Sequence, residues 1–463
     1  MNKQVPKEYM PKQVSILGAA RSGLAAARVL LDQGVDVFLS DACDVRALDF
    51  TLASNSLAHL RHEAGEHTDK VLQCDAIVTS PGIRSDAPIL QRARKAKIPV
   101  WSEMELGFRL SRAPFLAVTG STGKSTTVSL LGAILEAAGK EHVVAGNIGV
   151  PVSSMVSSVG PDGFVVAEVS SFQLENIDAF KPKAAAVLNL LKNHLDRYDN
   201  EEGYYDAKKA IARNMDTGDC LVLNACDERL REWSLTVQDR TAIVFFGREM
   251  GDVDCVWHAD GIMYRRHEGA VEKMFDLSDM KLRGGHNRDN AAAAAALAAS
   301  VGIDTASIAR GITGFAGLPH RLEFVREIDG VSYYNDSKAT TAESVACAAA
   351  SFGANVHLIC GGRDKGCDFA GIGDVITEHV KTIAVIGEAA ERIAREWAGI
   401  TTLTREDSLE AALLRARGTA AAGDVVLLSP GCSSFDMFSS YIERGDVFKK
   451  LVNALAGTGG GET

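Results

Sequence analysis

The stretch AVTGSTGKSTTVSLL, residues 117–131, sets a glycine-bounded turn, a lysine and two hydroxyls between an apolar run and a helical pattern. Backbone N–H groups of such a turn, with the positive end of the helix that follows, cradle phosphates. The turn comprises Gly120, Ser121, Thr122, Gly123, Lys124, Ser125 and Thr126. Its spacing, G-x-x-G-K-S, is two residues shorter than the common G-x-x-x-x-G-K-[ST] loop. Lys124 would reach the outer phosphates, and Ser125 or Thr126 would touch magnesium. Magnesium also asks for a carboxylate at the end of a neighbouring strand, and Glu168 closes the apolar run FVVAE. His194 follows the apolar run KAAAVLNLL, while Asn147 in GNIG and Ser170 with Gln173 in SSFQLE are candidate polar lining.

A second turn stands near the N-terminus as Gly18-Ala-Ala20-Arg-Ser-Gly23. Ala20 occupies the place where a dinucleotide fingerprint carries the glycine that lets the backbone approach a pyrophosphate, which disfavours NAD. Another nucleotide-containing ligand and a purely structural Rossmann-like unit both stay open. Asp41 ends the next strand, where a carboxylate could bind a ribose or another polar ring. The stretch HLRHEAGEH offers His59, His62, Glu63 and His67 as metal ligands or, more plainly, a solvated helix or loop.

These residues need strand–turn–helix units to position them, and the sequence supplies three sets. The chain reads as α/β with three domains: a Rossmann-like domain over 1–104, a P-loop ATPase-type domain with a mostly parallel sheet over 105–317, and a second Rossmann-like domain over 318–463. Its 463 residues suit about three domains. A hydrophobic share of 46% with 24% charged residues is that of a soluble, well-packed protein. The formal net charge of −11 argues against a nucleic-acid binder. Nine cysteines without a C-x-x-C pair read as buried small hydrophobes in a reducing compartment. MNKQVPKEYMPKQ lacks a signal-peptide core and no long apolar run follows, so a cytoplasmic location without membrane attachment is expected.

Read in order, TGSTGKST, GNIG, EVSSFQLE, NHLDR, HNRDN, GLPHRLE, NDSKAT and LSPGCSSFD resemble the Mur ligase family over nearly the whole chain. These are ATP-dependent amide-forming enzymes of peptidoglycan precursor synthesis. YYNDSKATT and LLSPGCSSFDMF look most like the branch that adds D-glutamate, and the Asp-Asn-Pro-Arg motif of the diaminopimelate- or lysine-adding branch is missing.

The resemblance implies that a substrate carboxylate attacks the γ-phosphate of ATP, and that an amino acid's amine then captures the acyl phosphate. The substrates would be UDP-N-acetylmuramoyl-L-alanine and D-glutamate, the cofactors ATP and two magnesium ions, and the enzyme a monomer. It implies catalytic roles for Lys124, His194, Lys209 and Arg321. Metal would be held by Ser125, Glu168, His194 and Lys209, the last as the family's carbamylated lysine, chosen over Lys208 by alignment from His194. Asn287, Asn290, Arg321 and Asp336 would join the loop residues around ATP. Arg21, Ser22, Asp41, Ser80, Pro81, Gly82, Asn147, Ser170 and Gln173 would hold the UDP-substrate, and His194, Lys338, Thr340, Lys365, Ser434 and Tyr441 would hold D-glutamate. The sequence departs from the family pattern at Asn193, where Asp is usual, at Thr341, and in SPGCSS. A folylpolyglutamate synthase would share the loop but lack a UDP-binding first domain. A nucleotide switch without ligase activity would have no reason to keep amino-acid-binding lysines in a third domain.

Overall fold

The computed structural model describes residues 9–192, 197–364 and 366–456. Among the described residues, twenty strands build three sheets. The first contains β1 (Gln13–Leu17), β2 (Asp36–Asp41), β3 (Arg61–Ala64), β4 (Ala76–Thr79) and β5 (Val100–Ser102), all parallel, in the order β3-β2-β1-β4-β5. The second contains β6 (Phe115–Thr119), β7 (His142–Gly146), β8 (Phe164–Glu168), β9 (Ala184–Val187), β10 (Cys220–Asn224), β11 (Ala242–Gly247), β12 (Cys255–Ala259), β13 (Ile262–His267) and β14 (Ala270–Asp276). Its order is β14-β13-β12-β11-β10-β9-β6-β8-β7, parallel except for the antiparallel β12-β13-β14 edge. The third contains β15 (Glu323–Ile328), β16 (Val331–Asn335), β17 (Val356–Gly361), β18 (Val380–Ile386), β19 (Thr402–Arg405) and β20 (Val425–Leu428), in the order β15-β16-β20-β17-β18-β19. Only β15 runs antiparallel there. In the first sheet the strand order reverses at one point, between β1 and β4, and ligands of such sheets bind beyond the carboxyl ends of the strands there.

The central strands are short, continuously apolar runs because helices cover both faces. Every residue of β6, β4 and β20 is buried. The chain divides into two compact units, Met1–Asp279 with Arg288–Gly314, and Met280–Asn287 with Phe315–Thr463. Within the first unit a buried knot ties the first two sheets together. The Glu105 carboxylate accepts the N–H groups of Asp178, Ala179 and Phe180 at 2.9–3.0 Å and pairs with Arg109, whose guanidinium lies 4.1 Å from the Trp101 ring centre.

The structure redraws several expected elements. KAAAVLNLL stays extended only to Val187, leaving Leu188–Leu191 as a separate segment. The alanine-rich run after Asn290 continues a helix that begins at Gly285. HLRHEAGEH is neither helix nor simple loop: Arg61–Ala64 is strand β3, His62 binds Leu60 O and Asp49, and His67 Nδ1 lies 2.7 Å from Ser40 Oγ. These histidines answer to separate partners, and among the described residues no cluster of three His, Cys, Asp or Glu could hold a metal ion. All nine cysteines are free; Cys220, Cys255, Cys360 and Cys432 are buried as expected, while Cys226 and Cys347 are exposed.

At the amino end of β20, buried Asp424 accepts from Lys381 Nζ at 2.5 Å and Ala421 N at 2.9 Å and faces His357 Nε2 at 3.1 Å. Burial alone would raise its carboxyl, but these donors hold it at about 2 against an ordinary 3.8. The folded value lies below the unfolded one, so this carboxylate stabilises the fold above pH 3.8 and the contribution vanishes as pH falls toward about 2. Asp424→Asn is expected to cost about 3 kcal/mol at neutral pH, and to flatten the stability–pH curve in that acidic window, checked by urea unfolding at stepped pH.

Candidate active site

Strand β6 delivers the phosphate loop and the helix Lys124–Ala137 carries it away. Gly123 takes the left-handed conformation, φ +83°, as the residue before the helix, and a Cβ there would lie 2.4 Å from Asn290 Oδ1, so only glycine fits. Lys124 Nζ donates to the carbonyls of Gly120 at 2.9 Å and Ser121 at 3.0 Å, folding back over the loop it would serve. Asn290 Oδ1 accepts from Thr127 Oγ1 at 3.4 Å, which sets it beside the loop.

Glu168 ends β8, the strand next to β6, and is 2% exposed. Its Oε2 accepts from Ser125 Oγ at 2.7 Å and its Oε1 from Asn147 Nδ2 at 2.7 Å. Ser125 and Glu168 therefore meet as hard oxygen donors at the helix start, with the Asn147 amide N–H on the other carboxylate oxygen. Such a set suits magnesium, which is bound by one or two protein oxygens together with phosphates and water. Ser170 and Gln173 instead close a capping box on the short helix Ser171–Leu174, each side chain satisfied by the other residue's backbone.

The helix Glu201–Lys209 is capped by Asn200, which accepts the Gly203 N–H, and it presents its last turn to two different surroundings. Lys209 Nζ turns outward to Glu202 at 3.0 Å and Asp206 at 3.4 Å, both exposed acids. Lys208, 2% exposed, turns inward: its Nζ donates to Gly120 O at 2.9 Å and lies 4.5 Å from the Tyr204 ring centre. Burial first, then the charge of Lys124, push its ammonium down to about 7, against the pull of Glu168. The structure thus brings Lys208, and not the expected Lys209, to the phosphate loop. Tyr204, fully buried with its hydroxyl 3.3 Å from Ser121 Oγ, was not expected in the site either. The spacing of Tyr204 and Lys208 along one helix face was the signal. His194, like Asn193 beside it, lies outside the described residues.

In the first sheet, Gly18, Ala20, Arg21, Ser22, Asp41, Ser80, Pro81 and Gly82 line a cavity of about 370 Å³ with Ile83, beyond the carboxyl ends of β1 and β4, where the strand order reverses. A Cβ on Gly23 would sit 1.8 Å from Gly18 O, so this turn closes only with glycine. Burial raises the Asp41 carboxyl, but the N–H groups of Ala19 at 2.5 Å and Cys43 at 2.8 Å outweigh it and hold the group below its ordinary value. Arg21 reaches the Gly149 carbonyl. Arg197 binds Pro81 O at 2.7 Å, Ile83 O at 3.0 Å and Glu175 at 3.0 Å, fixing the far wall.

In the second unit, β16 and β20 end side by side. Asp336 is buried there, accepting from Ser429 Oγ at 3.0 Å and Leu322 N at 3.1 Å, and burial pushes its carboxyl up to about 7. Lys338 lies with Nζ 5.8 Å from the Tyr441 ring centre, and His320 meets the same ring edge-on. Thr340 and buried Ser434 lie on the neighbouring loops, and Lys365 lies outside the described residues. Arg444, unexpected and 1% exposed, donates to Ser337 Oγ at 3.0 Å, Ser337 O at 2.8 Å and Cys432 O at 3.1 Å, tying the Lys338 loop to the Ser434 loop. Asn287 Nδ2 donates to Arg283 O at 2.7 Å, and Arg321 N to Leu318 O at 3.2 Å.

Three stretches match known domains: a MurD-like Mur ligase N-terminal domain over residues 12–102, the Mur ligase middle domain over 118–298, and the Mur ligase glutamate ligase domain over 320–432. The chain is 42% identical to a UDP-N-acetylmuramoylalanine–D-glutamate ligase of Syntrophotalea carbinolica, covering 98% of this chain and all of that one. It is 41% identical to one of Geotalea daltonii over 97% of this chain and 99% of the other. Among solved structures, UDP-N-acetylmuramate–alanine ligase of Thermotoga maritima superposes with a TM-score of 0.59 at 19% identity, covering 96% and 100% of the two chains. MurF ligase of the same organism, solved with ADP, gives 0.59 at 18% identity over 91% and 96%. These likenesses share the three-sheet α/β fold.

Proposed function

The chain belongs to the Mur ligase family, and on that premise we propose that it joins D-glutamate to UDP-N-acetylmuramoyl-L-alanine, with ATP converted to ADP and phosphate. The observation that carries this reading is identity of about two residues in five, end to end, with ligases named for that reaction.

The geometry supports each chemical requirement. A carboxylate is a poor acylating agent, since it would have to expel an oxide ion. Its oxygen therefore attacks the γ-phosphorus of ATP, the bond to ADP breaks, and the acyl phosphate gains a good leaving group. The amine of D-glutamate then attacks the acyl carbon, phosphate departs, and the amine proton passes to solvent. Every reactant is anionic, so cations must gather before chemistry can start. Lys124 on the loop supplies one such cation, reaching the outer phosphates with the N–H groups of the helix start. Ser125 and Glu168 would hold magnesium, with His194 as a second holder and two ions in all; bound there, the metal screens phosphate charge.

Lys208 is the residue proposed for the carbamylated lysine, in place of Lys209, because it is buried beside the loop and half-neutral near pH 7. Asn287, Asn290, Arg321 and Asp336 are proposed for the nucleotide. The cavity around Asp41 and Ser80–Gly82 is proposed for the uridine diphosphate, with Asn147 near its sugar end. Lys338, Thr340, Lys365, Ser434, Tyr441 and His194 are proposed for D-glutamate, whose two carboxylates need cations and hydroxyls. Ser170 and Gln173 act through the helix they cap. We take 1–104, 105–317 and 318–463 as the working domains of a cytoplasmic monomer. No helix among the described residues is long and apolar enough to cross a membrane.

Phosphate release with ATP and UDP-N-acetylmuramoyl-L-alanine is expected to run about 100-fold faster with D-glutamate than with L-glutamate or meso-diaminopimelate, since a site built to pair charged groups rejects a misplaced one. Equal rates would refute the assignment of D-glutamate.

A further inference from the structure

The phosphate loop is two residues shorter than the common form and has correspondingly few backbone groups with which to close on itself. The segment after β9 makes up the difference. A Cβ on Gly120 would lie 2.9 Å from Leu188 Cβ, so this segment lies directly against the loop. Ser121 Oγ donates to Leu191 O at 2.9 Å and accepts from Leu191 N at 3.0 Å. Between these contacts Asn189 turns its side chain into the loop. Its Oδ1 accepts two successive backbone N–H groups, from Ser121 at 2.9 Å and Thr122 at 3.0 Å. Its Nδ2 lies 3.4 Å from Thr122 O and 3.3 Å from Thr122 Oγ1. One oxygen held by consecutive N–H groups is the arrangement by which a backbone nest grips an anion.

From this geometry we infer that Asn189 is a positioning residue for nucleotide binding: its amide occupies the far side of the loop, fixes Ser121 and Thr122, and leaves the start of the helix Lys124–Ala137 to the phosphates. Without the Asn189 side chain the exposed Thr122 N–H has only water or the incoming phosphates to bind, the half-buried Ser121 N–H keeps only the Asn189 carbonyl at 3.2 Å, and the loop must be ordered at the expense of nucleotide affinity. The inference rests on the reading that residues 120–126 hold ATP. The same contacts pose an opposite possibility, that Asn189 plugs the loop and competes with phosphate, and the sign of one measurement separates the two.

Calorimetric titration of the full chain with ADP, with and without magnesium, makes the test. Asn189→Ala is expected to bind ADP about tenfold more weakly, the effect of losing two hydrogen bonds that order the loop. In turnover the KM for ATP should rise by a similar factor, while those for UDP-N-acetylmuramoyl-L-alanine and D-glutamate stay within about twofold. A general loss of structure would move all three together and lower the thermal midpoint without ligand. Asn189→Asp retains the double acceptor but adds charge. In 0.5 M salt, where screening acts within about 4 Å, it should bind ADP within about threefold of the wild type. If Asn189→Ala does not fold, this second variant decides alone, and weak binding by it in high salt overturns the proposal. Unchanged or tighter ADP binding by folded Asn189→Ala also overturns it, tighter binding marking the side chain as a plug. A wild-type chain that binds no ADP defeats the nucleotide reading itself, a separate result.

Discussion

Lys208→Ala is expected to lower phosphate release at saturating substrates by about 10³-fold or more, while Lys209→Ala stays within about twofold of the wild type. The two residues are chain neighbours with the same chemistry, so only their surroundings can separate them. Lys209 is paired with exposed Glu202 and Asp206, and such surface pairs contribute little. Lys208 is buried against Gly120 O and Tyr204, with Lys124 close by. At an ordinary 10.5 a lysine is neutral at pH 7 in about one molecule in 3000, whereas at about 7 it is neutral in about half. Only the neutral amine adds CO2: its nitrogen bonds to carbon, one proton leaves, and a carboxylate on a long arm results. That product turns like-charge repulsion with Lys124 into attraction, at the expense of repulsion from Glu168 that a cation held between the two carboxylates would relieve.

The folded value lies below the unfolded one, so the unfolded chain holds more protons between about pH 7 and 10.5, and the unmodified protein should gain stability as pH rises through that window. Lys208→Met should flatten this rise. The carbamate is checked by ¹³C NMR with labelled bicarbonate, expected to give one carbamate signal in the wild type and in Lys209→Ala and none in Lys208→Ala. Partial rescue of Lys208→Ala by a short carboxylic acid should follow. Full activity in Lys208→Ala would end the assignment.

Why the sequence pointed to Lys209 is instructive. Counting from His194 assumes a fixed number of residues in the turn before the helix, and turn length is the feature that sequence constrains least. The helix itself settles the matter: Tyr204 and Lys208 are i and i+4 on the face that turns toward the loop, and Lys209 falls on the solvent face with Glu202 and Asp206. The loop, Glu168 and Asn147 were legible for the opposite reason. A polar residue closing an apolar strand has its position fixed by the strand, and its cost in burial announces a partner. Asn189 obeyed the same rule, closing the run AAAVLN, but its partner is backbone N–H, which no residue type advertises. Arg444 and His320 escaped notice because their contacts join segments about 100 and 120 residues apart, to Ser337 and Tyr441. Ala20 argued at the level of residue type against a dinucleotide fingerprint, yet only the fold shows Ser80 and Asp41 flanking one crevice.

Glu168→Gln is expected to keep the fold and reduce turnover by about 10²- to 10³-fold. The amide is nearly the same size, Ser125 Oγ can reverse its hydrogen bond to accept, and Asn147 Nδ2 still finds an oxygen, so the buried contacts at 2.7 Å on each side survive. What disappears is the negative charge of Glu168 at the helix start, where magnesium would be held. The variant should therefore need more magnesium for half-maximal rate, while its affinity for ADP without magnesium stays equal or improves, because a carboxylate no longer faces the phosphates. A second consequence runs through Lys208. The charge of Glu168 favours the protonated amine, against burial and Lys124, so its removal should lower the Lys208 value below about 7. If neutral Lys208 limits the rate on the acid side, that limb of the pH–rate profile should move to lower pH in Glu168→Gln, although the rate itself has fallen. A structural role alone would reduce the rate without shifting the limb, and wild-type turnover at saturating magnesium would remove Glu168 from the site altogether.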